Sequence, residues 1–280
     1  MTHRFFEGKE HASVYQKYRV EPPDEVRNII LQYLDEKKGQ PHVLAVDLGC
    51  GTGQTTRILA QHFKEVVGID ISECQLEEAR AVPGFSNIEY RKGRAEELPF
   101  SDSSVDLVTA SAAAHWFDHA KFLAEAGRVL KPRGCIALLD YNTTKLHYSN
   151  CGERLDSIYD EVHQLLIPYT SNPVVQCDSE LEKLYSAIPF PDKERIEGIQ
   201  VKSFITLKNL LGFIETWSMF QTYKKDDPQA ANNLLLNIQK RNPSPRYVQG
   251  EPRFKVSVAV LSAPGSTVGW QHPRLAESVT

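Results

Sequence analysis

Two carboxylates and three glycines are the densest chemical signal in this chain of 280 residues. Asp47, Gly49, Gly51 and Gly53 share the stretch VDLGCGTG (46–53), and Asp70 ends the run EVVGID (65–70). Glycine at every second position breaks strand and helix alike and opens left-handed backbone conformations. It also lets a ligand approach the main chain, where N–H groups and the positive end of a following helix are presented. A carboxylate some 20 residues further on, at the end of the next strand, can accept both hydroxyls of a ribose. The pattern therefore points to a nucleoside held over a strand-to-helix turn.

Two ligand classes use such a turn. The dinucleotide fingerprint G-x-G-x-x-G needs glycine at position 54, where this chain has Gln54. The observed pattern is D-x-G-x-G-x-G. Its acidic residue suits a cationic group, and Asp47 can hold an ammonium directly or through water. An amino-acid nucleoside, S-adenosylmethionine, fits these residues better than a nicotinamide dinucleotide.

Other chemistry-bearing residues lie further along. His115 follows the fourth strand-like run and is placed either to take a proton or to pack beside Trp116. His115 and His119 are four apart, but no third ligand and no H-E-x-x-H pattern accompany them, so no metal is expected. Trp116, Phe117, Tyr141, Trp217, Phe220 and Tyr223 are aromatic residues that either pack in the core or face a pocket. Near the N-terminus, Tyr15, Tyr18 and Arg19 could fold across a ligand, with Arg19 able to meet a carboxylate bidentately.

The elements that must position these residues alternate. HVLAVDL (42–48), EVVGIDI (65–71), NIEYRKG (87–93), SVDLVTASAA (104–113) and CIALLDY (135–141) read as strands. Helical patterns separate them at 55–63, at 72–82 with Ser72 as N-cap, and at 118–130, stopped by Pro132 and Gly134. This alternation predicts a doubly wound α/β fold with a mostly parallel sheet covered on both faces. Beyond residue 141 helices are expected at 153–167, 178–188, 207–223 and 230–241. Strands are expected at 199–205 and 254–263, and a loose tail at 264–280.

Composition is ordinary: 41% hydrophobic and 24% charged residues, with 32 Lys+Arg against 36 Asp+Glu. The resulting net charge of −4 argues against a nucleic-acid partner, which a basic stripe would mark. No run approaches the roughly 18 apolar residues that cross a bilayer. No signal-peptide pattern opens the chain, and the five cysteines form no C-x-x-C pair, so a cytoplasmic protein without disulfides is expected.

VDLGCGTG, GIDIS, KGRAEELPF, the fourth strand and RVLKPRGCIAL fall in an order that resembles the class I S-adenosylmethionine-dependent methyltransferases. AAHWFDHAKF (113–122), FIETWSMFQTYKKDDP (213–228) and ASVYQKYR (12–19) narrow the resemblance to the trans-aconitate methyltransferase group. The resemblance implies one domain over 1–263 on a seven-stranded sheet, with a cofactor core at 40–141 and helical lid insertions at 142–198 and 206–250. It implies a cofactor site of Tyr18, Arg19, Asp47, Gly49, Gly51, Gly53, Asp70, Ile71, Ala95, Glu96 and Ser111. Trp116, Tyr141 and Trp217 would meet a small-molecule substrate, a carboxylate by the same resemblance, with His115 as the catalytic candidate. One position departs: Arg94 stands where many such enzymes have an acidic residue for the adenine amine, and arginine has no acceptor. A catalytically silent S-adenosylmethionine-binding protein shares all these residues and stays open at this point.

Overall fold

The computed structural model of the chain describes residues 6–148, 154–170, 184–188, 190, 192–202, 206–241 and 250–263. Strand β1 (Leu44–Leu48) lies between β2 (Glu65–Asp70) and β4 (Val105–Ser111), parallel to both. β3 (Ile88–Lys92) flanks β2, and β5 (Leu130–Tyr148) flanks β4, again in parallel. β6 (Asp192–Lys202) and β7 (Gly250–Ser262) extend this edge, β7 pairing antiparallel with both β5 and β6. The order is β3-β2-β1-β4-β5-β7-β6, so the chain reverses direction across the sheet between β1 and β4. That reversal leaves a crevice at the carboxyl ends of these strands, where ligands bind in open α/β sheets.

Period-two alternation sends successive side chains to opposite faces. Ala45, Leu107, Ala137 and Leu139 join a core shared with α2 (Asp24–Lys37), α6 (Arg154–Leu166), α7 (Leu207–Glu215) and α8 (Ser218–Asp226). Val46, Leu48, Val108, Ile136 and Leu138 face the other way, onto α5 (His119–Val129). Phe122 of α5 is fully buried there. Truncating such a phenylalanine to alanine costs about 3–5 kcal/mol.

Several elements depart from the sequence expectation. α2 was not foreseen, although Val26, Ile30, Tyr33 and Leu34 form a buried stripe at helical spacing behind Pro23. The helix expected over 55–63 is shorter, α3 (Gln54–Leu59). α5 ends at Val129, and Pro132 and Gly134 lie within β5, where the register shifts between Val105 and Leu107 and Arg133 takes a positive φ. A bulge is where a strand tolerates proline. The single helix expected over 207–223 is two, because Thr216 turns its hydroxyl onto the Phe213 carbonyl and Trp217 is extended. α9 (Pro228–Arg241) is the last helix among the described residues. The tail at 264–280, residues 203–205 and residues 178–183 of an expected helix lie outside the described residues.

Candidate functional site

The glycine turn is built from the end of β1. Gly49 and Gly51 have φ of +62° and +54°, which β-carbons resist. A Cβ on Gly49 would lie 2.5 Å from Cβ of Ala113, so glycine is required there by space as well as by φ. The Gly51 N–H donates to Asp70 Oδ2 at 2.9 Å, and the Ser72 N–H donates to Asp70 Oδ1 at 2.8 Å. Asp70 is thus fixed across the turn, and as an acceptor-only group it keeps lone pairs for a ligand.

Above the turn lies a cavity of about 330 Å³. Gly49, Gly51, Asp70 and Ser72 line its floor, and Ile71, 46% exposed, forms an apolar wall. Arg94, Ala95 and Glu96 line the β3–β4 side, and Ser111, Ala112, Ala113 and Trp116 the β4 side. Ala112 holds a φ of +49°, a left-handed alanine at the end of β4 that turns the chain along the cavity. A narrower crevice adjoins through Tyr15, Gly49, Gly51 and Ser111, and carries Asp47 and Arg19 on its walls. One end therefore offers a fixed carboxylate beside an apolar wall, and the other an acid and a base within one crevice.

Asp47 is 1% exposed and accepts bonds from Thr56 Oγ1 at 2.7 Å and Thr109 Oγ1 at 2.8 Å. Burial outweighs these hydroxyls and pushes its carboxyl up to about 6. Arg19 reaches Thr216 Oγ1 at 3.3 Å and stacks over Tyr15 and Phe213. It comes from the end of α1 (Lys9–Tyr18), whose leading residues Phe6 and Glu7 also line the cavity. Phe6 meets Trp116 and Tyr15 edge-on, so aromatic rings close this side.

Four of the expected residues stand outside the lining of the cavity and the crevice. Tyr18 does not line the cavity or the crevice: its ring covers Gly212, while Tyr15, one helical turn earlier, faces both. Gly53 lines neither; a Cβ there would strike Tyr90, so its role is packing against β3. Trp217 is buried among Tyr159, His163 and Phe213, in the core rather than at the cavity. His115 sits in a single 3-10 turn, Ala114–Trp116, beside the Trp116 ring and outside the cavity lining. Burial, with Arg19 and His119 nearby, lowers its pKa to about 4. Tyr141 lies on β5, and its side chain is outside the described residues.

Arg94 lines the cavity with its Nε 3.5 Å from Glu96 Oε2, and Glu96 Oε1 accepts the Asp118 N–H at 2.9 Å. Arginine at this place thus ties up the neighbouring glutamate. Sequence reasoning missed Phe6, Glu7, Ala112, Ala113 and Gln75 as lining residues. Only Gln75 carried a readable signal, as the fourth residue of an S-x-x-Q helix start.

Residues 46–138 match the family model described as "Methyltransferase domain". The chain is 28% identical over 217 residues to a "Putative methyltransferase" of Dictyostelium discoideum, covering 75% of this chain and 76% of that one. It is 38% identical over 102 residues to trans-aconitate 2-methyltransferase of Deinococcus radiodurans, covering 35% of this chain and 38% of that one. Other curated relatives it matches are likewise covered over 38% to 54% of their length. Among solved structures, a "Putative Type II Methyltransferase" from Anaeromyxobacter dehalogenans shares the fold, with TM-score 0.64, 24% identity and coverage of 88% and 98%.

Proposed function

We propose that this chain, whose residues 46–138 match a methyltransferase domain, is a class I S-adenosylmethionine-dependent methyltransferase that acts on a small-molecule carboxylate. The observation that carries the reading is the paired cavity and crevice on one glycine floor. Asp70 and Ile71 suit a ribose and its base, while Asp47 and Arg19 suit the ammonium and carboxylate of an amino acid. The glycines fit the cofactor because any Cβ at Gly49 would meet protein, leaving the backbone itself to form the floor. When bound, S-adenosylmethionine supplies a methyl group already activated on a sulfonium. The chain's own residues then hold, orient and exclude water, with Phe6, Tyr15 and Trp116 as the apolar cover.

The reading of the acceptor as a carboxylate is supported by proton bookkeeping and by the likeness to trans-aconitate 2-methyltransferase. A carboxylate arrives ionised, since unperturbed carboxyl pKa values lie near 4, and no side chain has to remove a proton. His115, held neutral with a pKa near 4 and off the cavity wall, has little driving force as a general base at neutral pH.

The test combines binding and product. Calorimetry is expected to show S-adenosylhomocysteine binding, and mass spectrometry of small acids, phenols and amines to show methyl transfer to an acid. His115→Asn is expected to cost less than about tenfold in turnover, whereas a positioned base contributes on the order of 10² to 10⁴. A loss above a hundredfold at unchanged cofactor affinity would replace the carboxylate by a protonated oxygen or nitrogen acceptor. Binding without any methylated product would leave a cofactor-binding protein with no catalysis.

A further inference from the structure

Thr216 stands where the helices α7 and α8 part, and α1 grips it at two points. His11 Nε2 bonds its carbonyl at 3.0 Å, and Arg19 Nη1 donates to its hydroxyl at 3.3 Å. The residue is 1% exposed. A hydroxyl has one proton to give and lone pairs that accept. Here the proton goes to the Phe213 carbonyl at 2.6 Å, so toward Arg19 the oxygen can only accept. Folding of α7 does not require this hydroxyl. The Phe213 carbonyl also takes the Thr216 N–H at 3.0 Å and stays satisfied without it.

Arg19 is the residue that needs an anchor. Its guanidinium lies over the rings of Tyr15 and Phe213, 5.1 and 5.5 Å from their centroids, and on the wall of the crevice that holds Asp47. Attraction to a ring face fixes where a planar cation sits, but not which of its edges meets a ligand. A hydrogen bond is directional and selects the edge. The acceptor is also neutral. A carboxylate at position 216 would pair with the guanidinium and satisfy its charge inside the protein, whereas a hydroxyl turns the group without cancelling it.

We infer that Thr216 is a positioning residue: its hydroxyl sets the edge that Arg19 presents to the crevice, and so the affinity for the carboxylate of the bound amino-acid nucleoside. This rests on the cofactor reading given above. Thr216 lines neither the cavity nor the crevice, so its effect passes through Arg19. The loss on removing the hydroxyl is therefore confined to one functional group of the ligand.

The experiment is calorimetry on the full chain with two ligands, S-adenosylhomocysteine and its decarboxylated analogue, which keeps the nucleoside, the sulfur and the ammonium. Thr216→Val is expected to bind S-adenosylhomocysteine about five- to tenfold more weakly, the scale of one hydrogen bond to a charged group, and to bind the analogue as the wild type does. Thr216→Ser, which keeps the hydroxyl, is expected to restore the affinity. Arg19→Leu is expected to lose the preference for the carboxylated ligand. In that background Thr216→Val is expected to add nothing, since residues that act through one another are not additive. Equal losses of both ligands in Thr216→Val overturn the assignment, because the threonine would then only hold the fold. So do a Thr216→Ser variant that stays weak and additive losses in the double variant. Should Thr216→Val unfold too early to be measured, Thr216→Ala, which needs no more room than threonine, takes its place with the same expectations. A wild type that binds S-adenosylhomocysteine no better than the analogue takes the carboxylate away from Arg19 and overturns the proposal. A wild type that binds neither ligand overturns the cofactor reading itself, which is a different result.

Discussion

Asp47 and Asp106 are buried carboxylates on neighbouring strands, and their surroundings treat them in opposite ways. Asp106 receives the N–H groups of Val43 and Leu44 and the ammonium groups of Lys38 and Lys131. Burial opposes its charge, but these partners win and its carboxyl is held below the usual value. Asp47 has threonine hydroxyls instead, and burial raises it to about 6. A carboxyl whose folded pKa lies above its unfolded value binds protons more tightly in the fold. Its contribution favours folding at low pH and is lost as pH rises from about 4 to about 6. Asp47→Asn keeps hydrogen-bonding atoms toward Thr56 and Thr109 while removing the charge. The melting temperature of the ligand-free variant is expected to gain on the wild type across that interval, while cofactor affinity falls at least about tenfold with the lost ammonium partner. A difference that stays flat from pH 4 to 7 would mean that Asp47 is not destabilised by burial. Gly51→Val is expected to abolish cofactor binding, since a β-branched residue resists a φ of +54° and its side chain would enter the space beside Tyr15. Calorimetry with unchanged affinity would remove the ligand from this turn. Asp47, Gly49, Gly51 and Asp70 were legible because their spacing is local and each type has few uses. Phe6, Glu7, Ala112 and Ala113 were not, because they reach the cavity only through the packing of distant segments.

At the scale of elements, α1 is the cover that brings Tyr15 and Arg19 over the floor, and it is tied at both ends. Ser72 Oγ donates to the Phe6 carbonyl at 2.7 Å, and Lys9 reaches Glu77 on α4 (Glu73–Ala81) at 3.3 Å. Towards α7 and α8, His11 bonds the Thr216 carbonyl at 3.0 Å and Lys224 pairs with Glu10 at 2.8 Å. Tyr18 covers Gly212, where a Cβ would clash with its ring. Gly212→Ala should by itself favour α7 by about 1 kcal/mol, because alanine is the better helix former. Against that gain, the added methyl has to push Tyr18 and with it the end of α1. We expect at least a tenfold loss of cofactor affinity and faster amide exchange confined to α1. Unchanged affinity with unchanged exchange would show that α1 is not seated by this contact. The parallel strands were readable because each is a buried apolar run between glycine, proline and helix signals. α2 and the break between α7 and α8 were not. The first hides behind Pro22 and Pro23, and the second depends on a Thr216 hydroxyl that bonds the Phe213 carbonyl and accepts from Arg19.

On the scale of the whole molecule, the site is assembled from α1, the turn after β1, the end of β2 and the end of β4, segments far apart in sequence. A ligand that touches all of them binds only the folded chain, so its binding free energy adds to folding. At 100 times its dissociation constant that addition is about 2.7 kcal/mol. Domains of 150–250 residues shift by about 2–4 °C per kcal/mol, which converts the addition to a rise of roughly 5–10 °C. S-adenosylhomocysteine is therefore expected to raise the melting temperature by that amount, with a logarithmic dependence on concentration. The dinucleotide alternative is decided by the same measurement. NADH carries a pyrophosphate, and the turn that would cradle it has Gln54 where a glycine is needed, with the buried Asp47 carboxylate at the crevice beside it. NADH at millimolar concentration is expected to leave the melting curve unmoved and its own absorbance unchanged. The net charge of −4 adds a weaker argument against polyanionic ligands in general. A rise with NADH and none with S-adenosylhomocysteine would reverse the assignment of the crevice, because the acid and the base that line it would then have no zwitterion to hold.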